Sequence, residues 1–213
     1  MTETLDPTSA PDGGGPDEDG PEPRRHVGVI IVAIVAVVAV ALVAVLATSQ
    51  PANERRTRSP LVGRTVPALS GRTLDGGRFN IDDQRGRWVV VNFFATWCIP
   101  CVQEHPELVA FDEEHKVNGD AAVVSVVFSD DPAKARTFFA KQGGDWPVLT
   151  DDKGSAALDF GVPKVPETYL VTPSGHVAAK FTGGVTQEGL DQAIAEVDRA
   201  LNAGANAGAG GGG

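Results

Sequence analysis

The sequence predicts an α/β domain with a mixed central β-sheet flanked by helices, preceded by one N-terminal transmembrane helix. Residues 27–47 form a run without a charge, made almost wholly of Val, Ala, Ile and Leu. After this run, short apolar segments typical of buried strands alternate with helical patterns, an order that indicates parallel strands joined by helices. The turn signal at 173–175 then separates two strand-like segments and predicts an antiparallel hairpin, which makes the sheet mixed.

Length, charge and cysteine content limit the classes of protein to consider. The chain has 213 residues and a formal net charge of −10, enough for the core of one ordinary domain but not comfortably for two. An acidic body argues against nucleic acid as a partner. The two cysteines allow at most one disulfide, which excludes a fold held together by several disulfides.

Three segments precede the folded domain. Residues 1–26 are rich in Pro, Gly, Asp and Glu, and we expect a disordered acidic tail because this composition buries too little apolar surface. A helix over 27–47 is about 31 Å long, which matches the hydrocarbon core of a bilayer. Its length favours a retained anchor over a cleaved signal peptide, although 45–47 resembles a weak cleavage site. Residues 48–60 are polar and basic and are interpreted as a linker.

Arginines flank the apolar run on both sides, so charge alone does not favour the expected orientation. By the count of positive charges, the C-terminal part would lie in the cytoplasm. However, long domains are translocated largely regardless of charge. We expect a single-pass protein of the cell membrane with its C-terminal domain on the extracytoplasmic side. The arginines are Arg24 and Arg25 before the run and Arg55, Arg56, Arg58 and Arg64 after it.

The folded domain is expected at 61–202, and its first half is predicted from apolar runs and capping residues. Residues 88–94 are almost continuously apolar, as in a strand buried on both faces. Pro106 falls within the following helix and predicts a kink, and Asp131 with Pro132 supplies an N-cap and a first-turn proline. The expected elements are strands at 78–81, 88–94 and 121–128, and helices at about 101–116 and 131–142.

The second half of the domain begins after Gly143-Gly144, a pair that ends a helix. A last helix is predicted because apolar residues recur on one of its faces. Residues 203–213 consist mainly of Gly and Ala and are expected to be a flexible tail. The expected elements are strands at 146–150, 167–172 and 176–182, one or two helical turns at 155–160, and a helix at 186–201.

The two cysteines, Cys98 and Cys101, lie between the buried strand at 88–94 and the helix that follows it. A helix N-terminus favours a thiolate, so Cys98 is predicted to be the nucleophile and Cys101 the resolving thiol. Pro100 fixes φ for entry into the helix. Because no positive charge adjoins the thiols, the sequence does not favour a strongly oxidising disulfide. This spacing indicates thiol-disulfide exchange.

Two other uses of paired cysteines remain open. With His105 they offer three ligands for zinc or copper, but a closed structural zinc site needs four, and the sequence has no second Cys/His pair with ligand spacing. An inert structural disulfide is the other alternative, although so short a loop stabilises little.

The residues around the cysteines resemble a known family. The segment 93–101, Phe-Phe-Ala-Thr-Trp-Cys-Ile-Pro-Cys, followed by Glu104 and Pro106, is similar to the WCxxCxxExP signature of membrane-anchored, extracytoplasmic thioredoxin-like proteins of the TlpA, ResA and DsbE (CcmG) type. A second block, Gly161-Val162 and then Val-Pro-Glu-Thr-Tyr-Leu-Val at 165–171, is similar to that family's G-V-x-x-x-P-E-T block. The resemblance covers about 61–201 and implies a thioredoxin-like fold.

The resemblance also implies roles for individual residues. Val165-Pro166 is expected to be a cis peptide facing the disulfide, since a proline cannot donate a hydrogen bond to an approaching partner strand. Glu104 matches the family's active-site glutamate, which would accept or relay a thiol proton and raise thiol pKa values. The alternative for Glu104 is a solvated carboxylate on the helix face.

Further residues are assigned to substrate binding. Trp97 is expected to shield the disulfide and to form part of the partner-binding surface together with Pro100 and Val165. Glu167 is expected to belong to an acidic rim. His115 and His176 have no supporting constellation and are predicted to be surface residues.

The function that the resemblance implies is disulfide reduction outside the membrane. The expected substrate is the oxidised CxxCH haem-attachment site of apocytochrome c, and a membrane thiol transporter of the CcdA/DsbD type would re-reduce the Cys98-Cys101 disulfide. No metal or organic cofactor is expected. A disulfide-forming oxidase or isomerase is the nearest alternative, and a copper metallochaperone is a more distant one. A peroxiredoxin would need Pro and Thr or Ser where Val91 and Ala95 stand.

Overall fold

The computed structural model describes residues 24–48, 55–151 and 153–209. The predicted acidic tail up to residue 23, the linker residues 49–54 and the end of the tail at 210–213 lie outside this part of the chain. Helix α1, Arg24–Thr48, contains the predicted apolar run, and its side chains at 28–41 are exposed. Within the described residues, no helix is both long and apolar enough to cross a membrane.

The remaining elements agree closely with the predicted order. A 3₁₀ turn at Ile81–Gln84 follows the third strand. The strands are β1 Arg55–Arg56, β2 Ser70–Arg72, β3 Arg78–Asn80, β4 Trp88–Phe94, β5 Ala121–Val127, β6 Val148–Thr150, β7 Glu167–Val171 and β8 Val177–Thr182. The helices after α1 are α2 Ile99–Asn118, α3 Pro132–Gln142, α4 Ser155–Phe160 and α5 Gln187–Ala209.

The main sheet has six strands and is mixed, as predicted. Its order is β1-β8-β7-β4-β5-β6, while β2 and β3 pair separately. Strands β4, β5 and β6 run parallel, and β7, β8 and β1 continue the sheet with antiparallel pairs. The central strand β4 therefore has a parallel neighbour on one side and an antiparallel neighbour on the other.

Strand β4 separates two apolar clusters, one on each face of the sheet. Because successive side chains of a strand point to opposite faces, Val90 and Phe94 belong to the cluster that also contains both cysteines. Val91 and Phe93 belong to the opposite cluster. All seven residues of β4 are buried, which explains why its sequence is almost continuously apolar.

Local residues define where the helices begin and end. The Asp131 side chain accepts a hydrogen bond from the Ala133 amide and caps α3, as predicted. Gly119 ends α2 in the left-handed conformation at φ 72°, which glycine adopts without a Cβ clash. Pro106 lies inside α2.

Three predictions of local structure differ from the structure. Helix α5 extends to Ala209, so the part of the predicted flexible tail from 203 to 209 is helical; its four alanines favour a helix, whereas its two glycines do not. Strand β1 lies in the segment interpreted as linker, and β2 was not predicted. Both are two or three residues long and carry no alternating apolar pattern, so no local signal marks them.

Candidate active site

The cysteines form a disulfide at the N-terminus of α2. Cys98 is the N-cap residue, and its Sγ accepts a hydrogen bond from the Cys101 amide at 3.2 Å. Both residues are buried, at 5% and 3% exposure, because they pack into the apolar cluster beneath α2. The predicted position of Cys98 at a helix start is confirmed, and a thiolate formed there would face the unpaired amides of the first turn.

Exposed apolar side chains surround the disulfide along the chain. Trp97, Ile99 and Val102 are 59%, 72% and 38% exposed, and Pro100 between them is half-buried. The indole Nε1 of Trp97 donates a hydrogen bond to the Ser129 carbonyl at 3.2 Å. Trp97 thus leaves much of its surface exposed to solvent next to Cys98, and its roles in shielding the disulfide and in binding a partner stay predictions.

The loop after β5 holds the segment before the cysteines. Asp130 Oδ2 accepts hydrogen bonds from the amide and the hydroxyl of Thr96, both at 2.6 Å. Burial opposes ionisation of Asp130, but these bonds and one from the Asp131 amide outweigh it and lower the pKa of Asp130. Ser129 adopts a positive φ of 46°, which is uncommon for a residue other than glycine. Through its two hydrogen bonds to Thr96, the carboxylate of Asp130 fixes the backbone two residues before Cys98.

Glu104 lies on the buried face of α2, three residues after Cys101. It is 3% exposed, so the alternative of a solvated helix-face carboxylate is wrong. Oε1 accepts a hydrogen bond from Asn92 Nδ2 at 2.8 Å, and Oε2 accepts one from the Val185 amide at 3.0 Å. Burial raises the pKa of Glu104 to about 8, against the opposing effect of these two bonds. This value is close to the ordinary thiol pKa of about 8.5, so proton exchange between the carboxyl group and a thiol would cost little.

Two partners of Glu104 were not singled out in the sequence. Asn92 is the one polar residue in the apolar run of β4, and that interruption is the signal that marks it, because a buried amide needs hydrogen-bond partners. Val185 acts through its backbone, which every residue possesses, so no sequence signal identifies it. The distance along the chain between Val185 and Glu104, 81 residues, makes this contact a product of the tertiary fold.

The peptide bond between Val165 and Pro166 is cis, as the resemblance implied. Pro166 is buried and Val165 is half-buried. The Val165 side chain packs against both apolar clusters, including the one that contains both cysteines. That the cis peptide faces the disulfide stays a prediction.

Glu167 does not belong to an acidic rim, and this prediction is wrong. The residue is 2% exposed, and its Oε2 forms an ion pair with Lys180 Nζ at 2.8 Å without accepting a hydrogen bond of good geometry. Burial opposes the charge of Lys180, but its contacts with Glu167 and Tyr169 outweigh burial and raise the pKa of Lys180. Alternation along β7 explains the error, since Glu167, Tyr169 and Val171 point to the sheet face away from the cysteines.

The histidines differ in their environments. His105 is buried among the rings of Phe138, Phe139 and Trp146, and its Nε2 is bonded to the Gly143 carbonyl at 3.0 Å. Burial lowers the pKa of His105. Among the residues that the structure describes, no three His, Cys, Asp or Glu side chains are grouped to hold a metal ion. His105 is therefore committed to packing and to a backbone bond.

His115 is not a surface residue as predicted, whereas His176 is exposed as predicted. His115 is 9% exposed, and its ring nitrogens lie 2.9 Å from Asp120 and from Asp191. Burial disfavours protonation of His115, but the two carboxylates outweigh it and raise its pKa. The His115 ring connects α2 to Asp191 of α5. The spacing of residues along α2 alone did not indicate this contact.

Comparison with known proteins gives consistent results. The Redoxin family model matches residues 61–201. The thiol:disulfide interchange protein HelX of Rhodobacter capsulatus is 32% identical over 63% of this chain and 75% of its own length. CycY of Rhizobium leguminosarum bv. viciae, also a thiol:disulfide interchange protein, is 30% identical over 70% of this chain and 69% of its own. The structure of MTB dsbF superimposes with a TM-score of 0.56 at 29% identity and covers 62% of this chain and 98% of that chain.

Proposed function

Because the chain belongs to the Redoxin family, among thioredoxin-like thiol-disulfide oxidoreductases of the TlpA/ResA/DsbE type, we propose that it reduces the disulfide of apocytochrome c outside the cytoplasmic membrane. Thiol-disulfide exchange is the activity of this family of protein-disulfide oxidoreductases. The single observation that carries the proposal is the Cys98–Cys101 disulfide at a helix N-terminus with a buried carboxyl group one turn further on.

The first step forms a mixed disulfide. In the reduced protein, the Cys98 thiolate attacks one sulfur of the partner's disulfide, and the partner's other sulfur leaves as a thiolate that takes up a proton. The amides of the first turn of α2 favour the attacking thiolate. The exposed side chains of Trp97 and Ile99 offer apolar surface to the partner.

The second step releases the partner. Cys101 gives its proton to the Glu104 carboxylate and attacks Cys98 Sγ, so that the internal disulfide forms and the bond between Cys98 and the partner breaks. The partner's second sulfur leaves as a thiolate that takes up a proton. Two electrons pass from the protein's dithiol to the partner. Because the pKa of Glu104 is about 8, the carboxylate is a much better acceptor for a thiol proton than an exposed glutamate with a pKa of about 4.3.

The names of the relatives support thiol-disulfide exchange as the activity. HelX and CycY are thiol:disulfide interchange proteins, as is a DsbE homologue of Paracoccus denitrificans that is 31% identical. We propose the CxxCH site of apocytochrome c as the substrate and a membrane thiol transporter of the CcdA/DsbD type as the electron donor. The Cys98–Cys101 pair then serves as the whole redox centre, with no metal or organic cofactor.

We also propose that the apolar residues 27–47 anchor the protein in the cell membrane, with residues 61–202 outside. The support comes from the sequence, since residues 27–47 contain no charge and 21 residues in a helical conformation would match the thickness of a bilayer. A reporter enzyme that is active only outside the cytoplasm, fused to the C-terminus, tests the orientation. Activity of the fusion in the membrane fraction is expected. An inactive fusion, or an active one in the soluble fraction after processing, would contradict the proposal.

Trapping tests the proposed substrate. The Cys101→Ala variant keeps the nucleophile but cannot resolve the mixed disulfide, so it should retain apocytochrome c chains through Cys98. The matched control is Cys98→Ala, which should trap little. Capture of secreted proteins without haem-attachment sites would favour the oxidase or isomerase alternative. Failure of the Cys101→Ala variant to capture any protein would contradict the assignment of Cys98 as the nucleophile.

A further inference from the structure

The proposed mechanism uses Glu104 but leaves unexplained why the middle of β4 carries an amide. Asn92 is 2% exposed, and burying an amide destabilises a protein unless its hydrogen bonds are satisfied. Its Nδ2 group donates to Glu104 Oε1 at 2.8 Å and to Thr168 Oγ1 at 3.1 Å. The Nδ2 group of Asn92 thus bridges the Glu104 carboxyl group on α2 and the Thr168 hydroxyl group on the neighbouring strand β7.

Asn92 is the central member of a buried polar row that crosses three strands. It is the direct neighbour of Thr168 on β7 and of Ser125 on β5, and these two are 0% and 1% exposed. Ser125 accepts a hydrogen bond from Trp146 Nε1 at 2.9 Å. Within the described part of the chain, the row is hydrogen-bonded to the Glu104 carboxyl group through Asn92. Asn92 is therefore the candidate for an effect on Glu104, and Ser125 is its matched control.

The direction of the hydrogen bonds distinguishes the two protonation states of Glu104. Each carboxyl oxygen faces an N–H donor, Asn92 on one side and the Val185 amide on the other. Donors of this kind bond more strongly to a carboxylate than to a neutral acid. Burial acts in the opposite sense and favours the neutral acid. The balance between them decides the pH at which Glu104 can receive a proton.

We propose that Asn92 is a positioning residue that holds the Glu104 carboxyl group and stabilises its ionised form through a hydrogen bond anchored by Thr168. This inference rests on the proposed function, because the proposed mechanism gives Glu104 the role of proton acceptor for Cys101. Asn92 itself does not touch the sulfur atoms in this role. Asn92 sets the fraction of molecules in which the Glu104 carboxyl group is ionised and can accept a proton.

The test is a direct titration of the Glu104 carboxyl carbon by NMR in the oxidised full-length protein. In Asn92→Ala the pKa of Glu104 should rise by at least about one unit, which is roughly a tenfold fall in the ionised fraction below the pKa. Asn92→Val should give the same rise, and it replaces the alanine variant if that variant folds poorly, because valine suits a buried strand better than alanine. Thr168→Val should give a smaller rise in the same direction, because it loosens Asn92 without removing it.

Ser125→Ala is the matched control, since it removes a buried hydroxyl group from the same row that is bonded to Trp146, whereas the Glu104 oxygens are bonded to Asn92 and Val185. Its Glu104 titration should equal that of the wild type. The inference is overturned if both Asn92 variants titrate like the wild type, or if Ser125→Ala shifts the pKa as much as they do.

A second readout separates this inference from the proposed function. The pH profile of mixed-disulfide resolution should move to higher pH in Asn92→Ala, and this displacement should vanish in the Glu104→Gln background. A shifted titration with an unmoved profile would uphold the effect of Asn92 on Glu104. It would also show that Glu104 is not the proton acceptor, so the proposed mechanism would fail instead.

Discussion

Replacing Glu104 with Gln should make the protein's stability less dependent on pH. The pKa of this carboxyl group rises from an ordinary value of 4.5 to about 8 in the folded protein because burial disfavours the charge. Below pH 4.5 the group is protonated in both states and adds no pH dependence. Between pH 4.5 and 8 the folded state keeps a proton that the unfolded state has lost, so the free energy of unfolding falls as the pH rises.

The magnitude follows from the two pKa values. Each pKa unit corresponds to about 1.36 kcal/mol, so a difference of about 3.5 units amounts to roughly 4 to 5 kcal/mol by pH 8. About 2.5 kcal/mol of this loss falls between pH 5 and pH 7. Glutamine has the shape of the neutral acid and does not ionise, so this fall in the free energy of unfolding with rising pH is absent from the variant. Other titrating groups are shared by both proteins and cancel in the difference.

Urea denaturation of the two oxidised proteins at intervals from pH 5 to pH 8.5 measures the effect. The free energy of unfolding of Glu104→Gln minus that of the wild type should increase by about 1.3 kcal/mol per pH unit between pH 5.5 and 7 and level off above pH 8. Glu113→Gln, which removes a carboxyl group at an exposed site of the same helix, is the control for the loss of one negative charge. Parallel curves for Glu104→Gln and the wild type would refute the reasoning, because the carboxyl group would then ionise at its ordinary pH.

Three further predictions concern buried charges and a helix cap. Lys180→Met should destabilise the protein by about 3 to 5 kcal/mol because it leaves Glu167 buried without its partner, and urea denaturation should show most of this loss restored when Glu167→Gln is added. His115→Gln should lower the melting temperature more at pH 6 than at pH 9, because the raised pKa of His115 makes its charge stabilising at low pH, an effect lost as the pH rises through that pKa; an equal loss at both pH values would contradict it. Asp131→Ala should cost about 1 kcal/mol of unfolding free energy through loss of the α3 cap, whereas Asp131→Asn should cost less.

The elements that the sequence predicted well are those with a strong local pattern. Strand β4 has the predicted bounds, because its two buried faces impose an uninterrupted apolar run. Helix α3 also agrees, because Asp131 with Pro132 and the glycine pair at 143–144 define its ends. Strand β1 pairs with β8 through backbone groups at the sheet edge, where arginine side chains are as suitable as any others. Its sequence therefore resembles a linker.

The site shows the same division between local motifs and tertiary contacts. The motifs located Cys98, Cys101, Glu104 and the cis bond before Pro166, all features that a short sequence carries. The burial of Glu104 depends on a backbone amide 81 residues away, and spacing along the chain does not reveal such a contact. Glu167 was misplaced for a related reason, because its partner Lys180 lies on a neighbouring strand.

The same burial that makes Glu104 suitable for proton transfer makes it costly for stability. A solvated glutamate would leave the fold unaffected by pH near neutrality, but its pKa of about 4.3 would make it a poor acceptor for a thiol proton. Raising the pKa to about 8 matches the carboxyl group to a thiol and costs folding free energy above pH 4.5. Glu104→Gln should therefore combine a gain in stability above pH 7 with a fall of roughly a hundredfold in the rate of mixed-disulfide resolution. This opposition between stability and rate is the expected property of a buried carboxyl group that serves chemistry rather than packing.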